Sequence, residues 1–248
     1  MLVSHQHKFI FFKPMKCAGT SVEHALYNIA GEDAICAGSS WHGQMEYAMK
    51  NNDQKMHTHG YPDYFYKNIP DVNQCSDYSH ITVVRNPWDM IISYYWWVVQ
   101  RPNFYTQMGG QEYWERCLIT GNEPPSVRRL KCEQAMTTAA GYDSCPLAQD
   151  LGFADAVSSS FIYISMINSK FLDSRIDHYL RYENLQGDYE QLCKNLGVES
   201  VALPHHKHGV RKLGLHYSEY FTDWMRDEVE YYFSDYIEKF GYEFENGV

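Results

Sequence analysis

The spacing of apolar positions changes period several times along the 248 residues, and the first change is the sharpest. Phe9 to Phe12 is a short unbroken apolar run, as expected of a buried strand. A loop carrying Lys13, Lys16 and Gly19 follows. Behind Thr20 and Ser21, the residues Val22, Ala25, Leu26 and Ile29 then recur at i, i+3, i+4 and i+7. The pattern predicts a strand, a basic loop and a helix in immediate succession. A second run, His80 to Val84, is rich in β-branched residues and reads as another buried strand. It ends at Arg85-Asn86-Pro87-Trp88-Asp89, where Pro87 suits the first turn of a helix and Asp89 its positive end. That helix continues through Met90, Ile91, Ser93, Tyr94 and Tyr95. Asp177 to Tyr182 alternates as a strand and leads into a helix with Leu185, Tyr189, Leu192 and Leu196 on one face, closed by Gly197. From Tyr217 to Phe244 a further helix carries Phe221, Trp224, Met225, Val229, Tyr232, Phe233, Tyr236, Ile237 and Phe240 as a core stripe and stops at Gly241.

The first N–H groups of a helix have no intrahelical acceptor, so two lysines and two hydroxyls beside a helix start make an anion site. A phosphate or phosphosulfate is its natural guest. The loop is not the triphosphate loop GxxxxGK[ST], which needs lysine directly after the second glycine. Here Lys16 precedes Gly19 and Thr20-Ser21 follow it. The string KPMKCAGTS instead resembles the 5′-phosphosulfate loop of sulfotransferases that use 3′-phosphoadenosine 5′-phosphosulfate (PAPS), written PKTGGTS in the bacterial and Golgi-type loop group. Lys16, Gly19, Thr20 and Ser21 fall on family positions, while Cys17 and Ala18 stand where Thr and Gly are usual. VVRNPWDMIISYY resembles the family's 3′-phosphate motif, in which an arginine and a serine eight residues apart, here Arg85 and Ser93, hold that phosphate. RYENLQGDYEQLCKNLGV and the last predicted helix are similar to further family landmarks, with Arg181 and Glu183 as braces of the sheet.

The resemblance implies a three-layer α/β/α fold around a central, mostly parallel sheet, with ligands at the strands' carboxyl ends. One domain over 1–248 is expected. The core motifs do not account for a helical stretch around 102–160, which is expected to cover the acceptor pocket. The implied donor contacts are Lys13, Lys16, Cys17, Ala18, Gly19, Thr20 and Ser21 at the 5′ end, and Arg85 and Ser93 at the 3′-phosphate. Arg211 and Lys212 would join them from a basic loop over the nucleotide. Lys16 is the expected cation at the leaving oxygen, with Lys13 in reserve. Related enzymes carry a catalytic histidine after a short strand in the interval between the two motifs. His59, before Gly60, is the expected base and His57 the alternative, both on one face of a strand. No third ligand is spaced to make a metal site with them, and no metal is expected.

Composition narrows the substrate. Lys and Arg total 21 against 31 Asp and Glu, a net charge of −10 that disfavours nucleic acid and sulfated polymers as partners. Aromatic residues make up 16%, which suits a small, flat or cationic acceptor such as a guanidinium-bearing natural product. Seven scattered cysteines without a CxxC pair suit reduced thiols. His5, Gln6 and His7 interrupt what would be the apolar core of a leader, and no stretch approaches the ~20 apolar residues of a membrane span. A cytoplasmic enzyme with no membrane partner is the expectation. Two competitors stand beside sulfuryl transfer: a kinase-like phosphotransferase, for which the loop is wrong, and a non-catalytic module that binds the product nucleotide PAP.

Overall fold

The computed structural model describes residues 1–37, 57–68, 75–99, 164–165, 167–206 and 215–245. Among them are strands β1 Leu2–Ser4, β2 Phe9–Phe11, β3 Ile35–Cys36, β4 Ser79–Val84 and β5 His178–Arg181. The helices are α1 Gly19–Ile29, α2 Pro62–Asn68, α3 Pro87–Val99, α4 Leu185–Leu196, α5 Asp223–Tyr232 and α6 Ser234–Phe240. The chain divides into two compact units, Met1–Arg85 with Lys170–Lys207, and Asn86–Ser169 with His208–Val248.

The first unit holds the whole sheet, in the order β3-β1-β2-β4-β5. β2, β4 and β5 run parallel, with Phe11 opposite Ile81 and Val84 opposite Arg181. β1 runs antiparallel to both β2 and β3. The α/β class is therefore realised by a mixed sheet, parallel where β2, β4 and β5 lie together and antiparallel at the β3–β1 edge. Only a hairpin can join β1 to β2 through so short a connection, whereas parallel neighbours need a crossover. Phe9, Ile10, Phe11, Ile81, Val83 and Leu180 are buried, as are Val22, Ala25 and Leu26 on the apolar face of α1. α4 ends where predicted, on Gly197 in the left-handed region at φ 69°. α2 is tied to the start of β4 by the Tyr66 hydroxyl, 2.5 Å from His80 Nε2, and to the segment before β5 by Arg175, which bonds both Asp63 and Asp173.

The second unit opens on Asn86. Its side-chain oxygen accepts from the backbone N–H of Trp88 at 3.1 Å and of Asp89 at 3.3 Å, capping α3. Its amide donates to the Glu243 carbonyl at 3.2 Å, so the cap also fastens the C-terminal segment. The expected helix over Tyr217–Phe244 is three pieces. A 3₁₀ turn, Tyr217–Tyr220, starts from a capping box between His216 and Glu219. Phe221 is extended (φ −97°, ψ 133°), with its ring edge-on to Phe244 at 5.8 Å. Thr222 then restarts α5, and Phe233 (φ −111°, ψ 17°) separates it from α6, which ends on Gly241 at φ 63°. The unbroken apolar stripe concealed both interruptions, since each keeps an aromatic ring on the packed side.

Candidate active site

Parallel pairing makes the carboxyl ends of β2, β4 and β5 emerge at one edge of the sheet, where α/β proteins place their ligands. β2 leads into the lysine-bearing loop, β4 into Arg85, and β5 into Tyr182. The loop turns on two non-glycine residues in the left-handed region, Lys16 at φ 61° and Ala18 at φ 58°. Tight turns of this kind direct backbone N–H groups into a concavity suited to anions. Ala18 is the N-cap of α1 and offers no side-chain cap, and no acidic residue lies in the helix's first turn. The helix start therefore presents its partial positive charge without a built-in counter-charge. Thr20 is half-buried and Ser21 buried. The Cys17 thiol is buried and donates to the Met15 carbonyl, so this residue faces the site by its backbone alone.

Arg85, the last residue of the first unit, reaches the same loop. Its Nη1 donates to the Lys16 carbonyl at 2.8 Å, and its guanidinium lies over the Tyr182 ring at 3.9 Å. The guanidinium is thus fixed on one side by the loop backbone and on one face by an aromatic ring, a setting that selects arginine over lysine. Two motifs distant in sequence meet at one point in space. Tyr182 was read only as the end of a strand; its position beside the end of β4 is set by the register of β5.

Lys13 is buried, 2% exposed, and its ammonium sits 2.5 Å from Glu23 Oε2 on α1. The other oxygen, Glu23 Oε1, accepts from the Met1 amine at 2.7 Å. Burial alone pushes the Glu23 carboxyl up, but the Met1 amine and the Lys13 ammonium bring it down to about 2. Gly19 is needed to pass the lysine stem, because a Cβ there would lie 2.5 Å from Lys13 Cγ. Glu23 was not singled out from the sequence; an acid adjacent to Val22 on the predicted helix is the signal that could have found this pair.

His57 and His59 occupy a turn rather than the expected strand face, closed by the Gly60 N–H to the His57 carbonyl at 2.9 Å. The glycine that suggested a strand end instead lies tight against Met1, where a Cβ would meet the methionine side chain at 3.0 Å. His57 is exposed, and its Nδ1 accepts the His59 N–H at 3.2 Å. His59 is half-buried, with Nδ1 2.8 Å from the Lys13 carbonyl. A carbonyl can only accept, so Nδ1 carries the proton and Nε2 the lone pair. Burial first, and then the Lys13 ammonium, hold this imidazole down to about 3. The Thr58 carbonyl of the same turn accepts from the Met1 amine at 2.9 Å.

A second pair of histidines lies against α1. His206 donates its backbone N–H to Ser21 Oγ at 3.3 Å, and its Nε2 lies 2.7 Å from His24 Nδ1. Nothing in the sequence pointed to this contact. Ser93 is on α3, in the second unit, half-buried. Arg181 and Glu183 are exposed. Arg211, Lys212 and the stretch around 102–160 lie outside the described residues. Among the described residues no group of three or more His, Cys, Asp or Glu is placed to hold a metal ion, and no helix is long and apolar enough to cross a membrane.

The family model described as the sulfotransferase family matches residues 1–243. Comparison with curated proteins and with solved structures returned no match.

Proposed function

This chain belongs to the sulfotransferase family, and on that premise we propose that it moves the sulfuryl group of PAPS to a hydroxyl or amine of a small acceptor, releasing PAP. The observation that carries the reading is the meeting of Arg85 with the Lys16 carbonyl at 2.8 Å beside a helix start with no acid in its first turn. A nucleotide with phosphate at both ends needs cationic grips that share one rim, and the placing of Arg85 against the Lys16 loop supports that reading.

In this reading the helix-start amides, with Thr20 and Ser21, hold the 5′-phosphosulfate. Arg85 grips the 3′-phosphate, and the resemblance names Ser93, Arg211 and Lys212 as further contacts to it. The acceptor oxygen attacks sulfur in line as the bond from sulfur to the bridging oxygen breaks, and Lys16 meets the charge that develops on the departing phosphate. His59 Nε2 takes the acceptor's proton. Its lowered basicity keeps it neutral at cellular pH, so it receives the proton only as the acceptor oxygen loses electron density to sulfur. The acidic, aromatic-rich composition supports a flat or cationic small acceptor over a sulfated polymer. Buried, reduced Cys36, Cys75 and Cys193 support a reducing compartment such as the cytoplasm.

PAP is expected to raise the melting temperature well above the shift given by ATP with Mg²⁺, and Arg85→Ala to remove most of the PAP shift. Incubation with PAPS and a panel of phenolic, hydroxylated and guanidinium acceptors then identifies the product by the mass of one added SO₃. Equal shifts from both nucleotides would sink the PAPS assignment.

A further inference from the structure

The buried Glu23–Lys13 pair takes no part in binding or proton transfer as set out above, yet it lies directly behind the group that does. Lys13 contributes in two places at once. Its ammonium is held by Glu23 at 2.5 Å, and its backbone carbonyl accepts the His59 Nδ1–H at 2.8 Å. Glu23 stands on α1, the helix whose start forms the anion site, so a single carboxylate ties that helix to the residue that orients the imidazole. The stem of Lys13 is clamped in turn by Gly19, which leaves no room for a Cβ.

We propose that Glu23 and Lys13 are positioning residues for His59: they hold the Lys13 carbonyl against Nδ1, which fixes the tautomer with Nε2 unprotonated, and they place a fixed positive charge behind the ring. The proposal rests on the reading of His59 as base and adds the means by which the phosphate loop sets its state. The charged and titratable groups facing the ring are Lys13 from the β2–α1 loop, the Met1 amine ahead of β1 and His57 from the same turn, with Glu23 of α1 behind Lys13. Three of these four groups are cationic or become so on protonation. Protonating His59 would thus add a charge to a cluster that Glu23 alone offsets, and an unpaired buried charge is costly.

The test is nitrogen-15 NMR of selectively labelled histidine, with kinetics alongside. In the wild type, His59 is expected as the Nδ1–H tautomer at neutral pH, with protonation only far into acid. In Lys13→Met, which keeps the stem and removes the charge, the His59 midpoint is expected to rise by about one unit. The acid limb of kcat should rise with it while KM for PAPS stays unchanged. A general loss of structure would instead expose the ring, carrying the midpoint most of the way to 6.5 and abolishing the single Nδ1–H tautomer. If Lys13→Met does not fold, the double variant Lys13→Met with Glu23→Leu removes both charges and carries the same comparison. An Nε2–H tautomer in the wild type, or one midpoint shared by wild type and variant, overturns the proposal. Absence of sulfuryl transfer from the wild type would instead count against the assigned function, and the tautomer and midpoint would still decide the role of the pair.

Discussion

Ala18 occupies the position that most directly shapes the anion site, and it does so under strain. A non-glycine residue in the left-handed region costs about 1–2 kcal/mol, and Ala18 sits there at φ 58° as the N-cap of α1. Glycine is the usual residue at this place in loops of the resembling type, and the backbone explains why. Ala18→Gly removes the steric cost but adds about 0.5–1 kcal/mol of unfolded-state entropy. A net stabilisation of about 0.5–1 kcal/mol is expected from the difference. Ala18→Val should move the other way, because a β-branched side chain tolerates positive φ still less. Urea midpoints of the three proteins check the pair. If glycine lowers the midpoint, the strain is not where the backbone puts it. Lys16 is held in the same region at φ 61°, yet glycine there would delete the ammonium on which the proposed chemistry depends.

At the scale of elements, β2, α1, β4 and α4 were legible in the sequence because each carries its own local signal: an apolar run, a helical stripe, a β-branched run, a closing glycine. Three features were not. β1 has three residues, Leu2–Ser4, too few for any period to emerge. The turn holding His57 and His59 is fixed by Met1 and Lys13, both remote in sequence. The breaks at Phe221 and Phe233 are tertiary, since aromatic packing overrides helix propensity there. The same limit applied to the candidate site: the loop between β2 and α1 was legible, but the Lys13–Glu23 pair and the contact of His59 with the Lys13 carbonyl depend on contacts between elements. The segment 201–206 illustrates this coupling. Gln186 on α4 holds it, accepting from the Leu203 N–H at 2.9 Å, and it ends with His206 on Ser21 and His24. One hydrogen bond contributes about 1 kcal/mol. His24→Ala, which loosens this segment beside Ser21, is therefore expected to weaken PAP binding by about fivefold. Calorimetric titration with PAP measures it. An unchanged Kd would mean that the segment does not support the donor site.

Over the whole molecule, the displaced titrations combine into one prediction about pH. Glu23 is lowered from 4.5 to about 2, so it stabilises the fold above 4.5 and that contribution is lost as pH falls through 2. His59 is lowered from 6.5 to about 3. Its neutral form is the folded one, so stability declines as pH drops from 6.5 toward 3, where the unfolded chain binds the proton first. His80, lowered chiefly by burial, and Asp173, lowered chiefly by its hydrogen bond to Arg175, act in the same direction. On the alkaline side, burial raises Tyr66, Tyr217, Cys75 and Cys193. Their neutral forms belong to the folded state, so stability falls once the unfolded chain begins to ionise, near 9 for cysteine and 10 for tyrosine. The buried Met1 amine, lowered from 8.0 chiefly by desolvation, adds a loss of stability as pH falls below 8, so stability should be greatest between about 8 and 9. Below that range the acid limb should steepen in two further stages, below 6.5 as His59 contributes and more sharply below 4.5 as Glu23 joins it. Urea unfolding across the pH range measures this curve directly. The double variant Lys13→Met with Glu23→Leu separates the stages, because removing the carboxylate should abolish the steep one while the His59 stage persists, displaced to a smaller span. An acid limb of unaltered steepness in that variant would show that Glu23 is not the group whose protonation opens the fold.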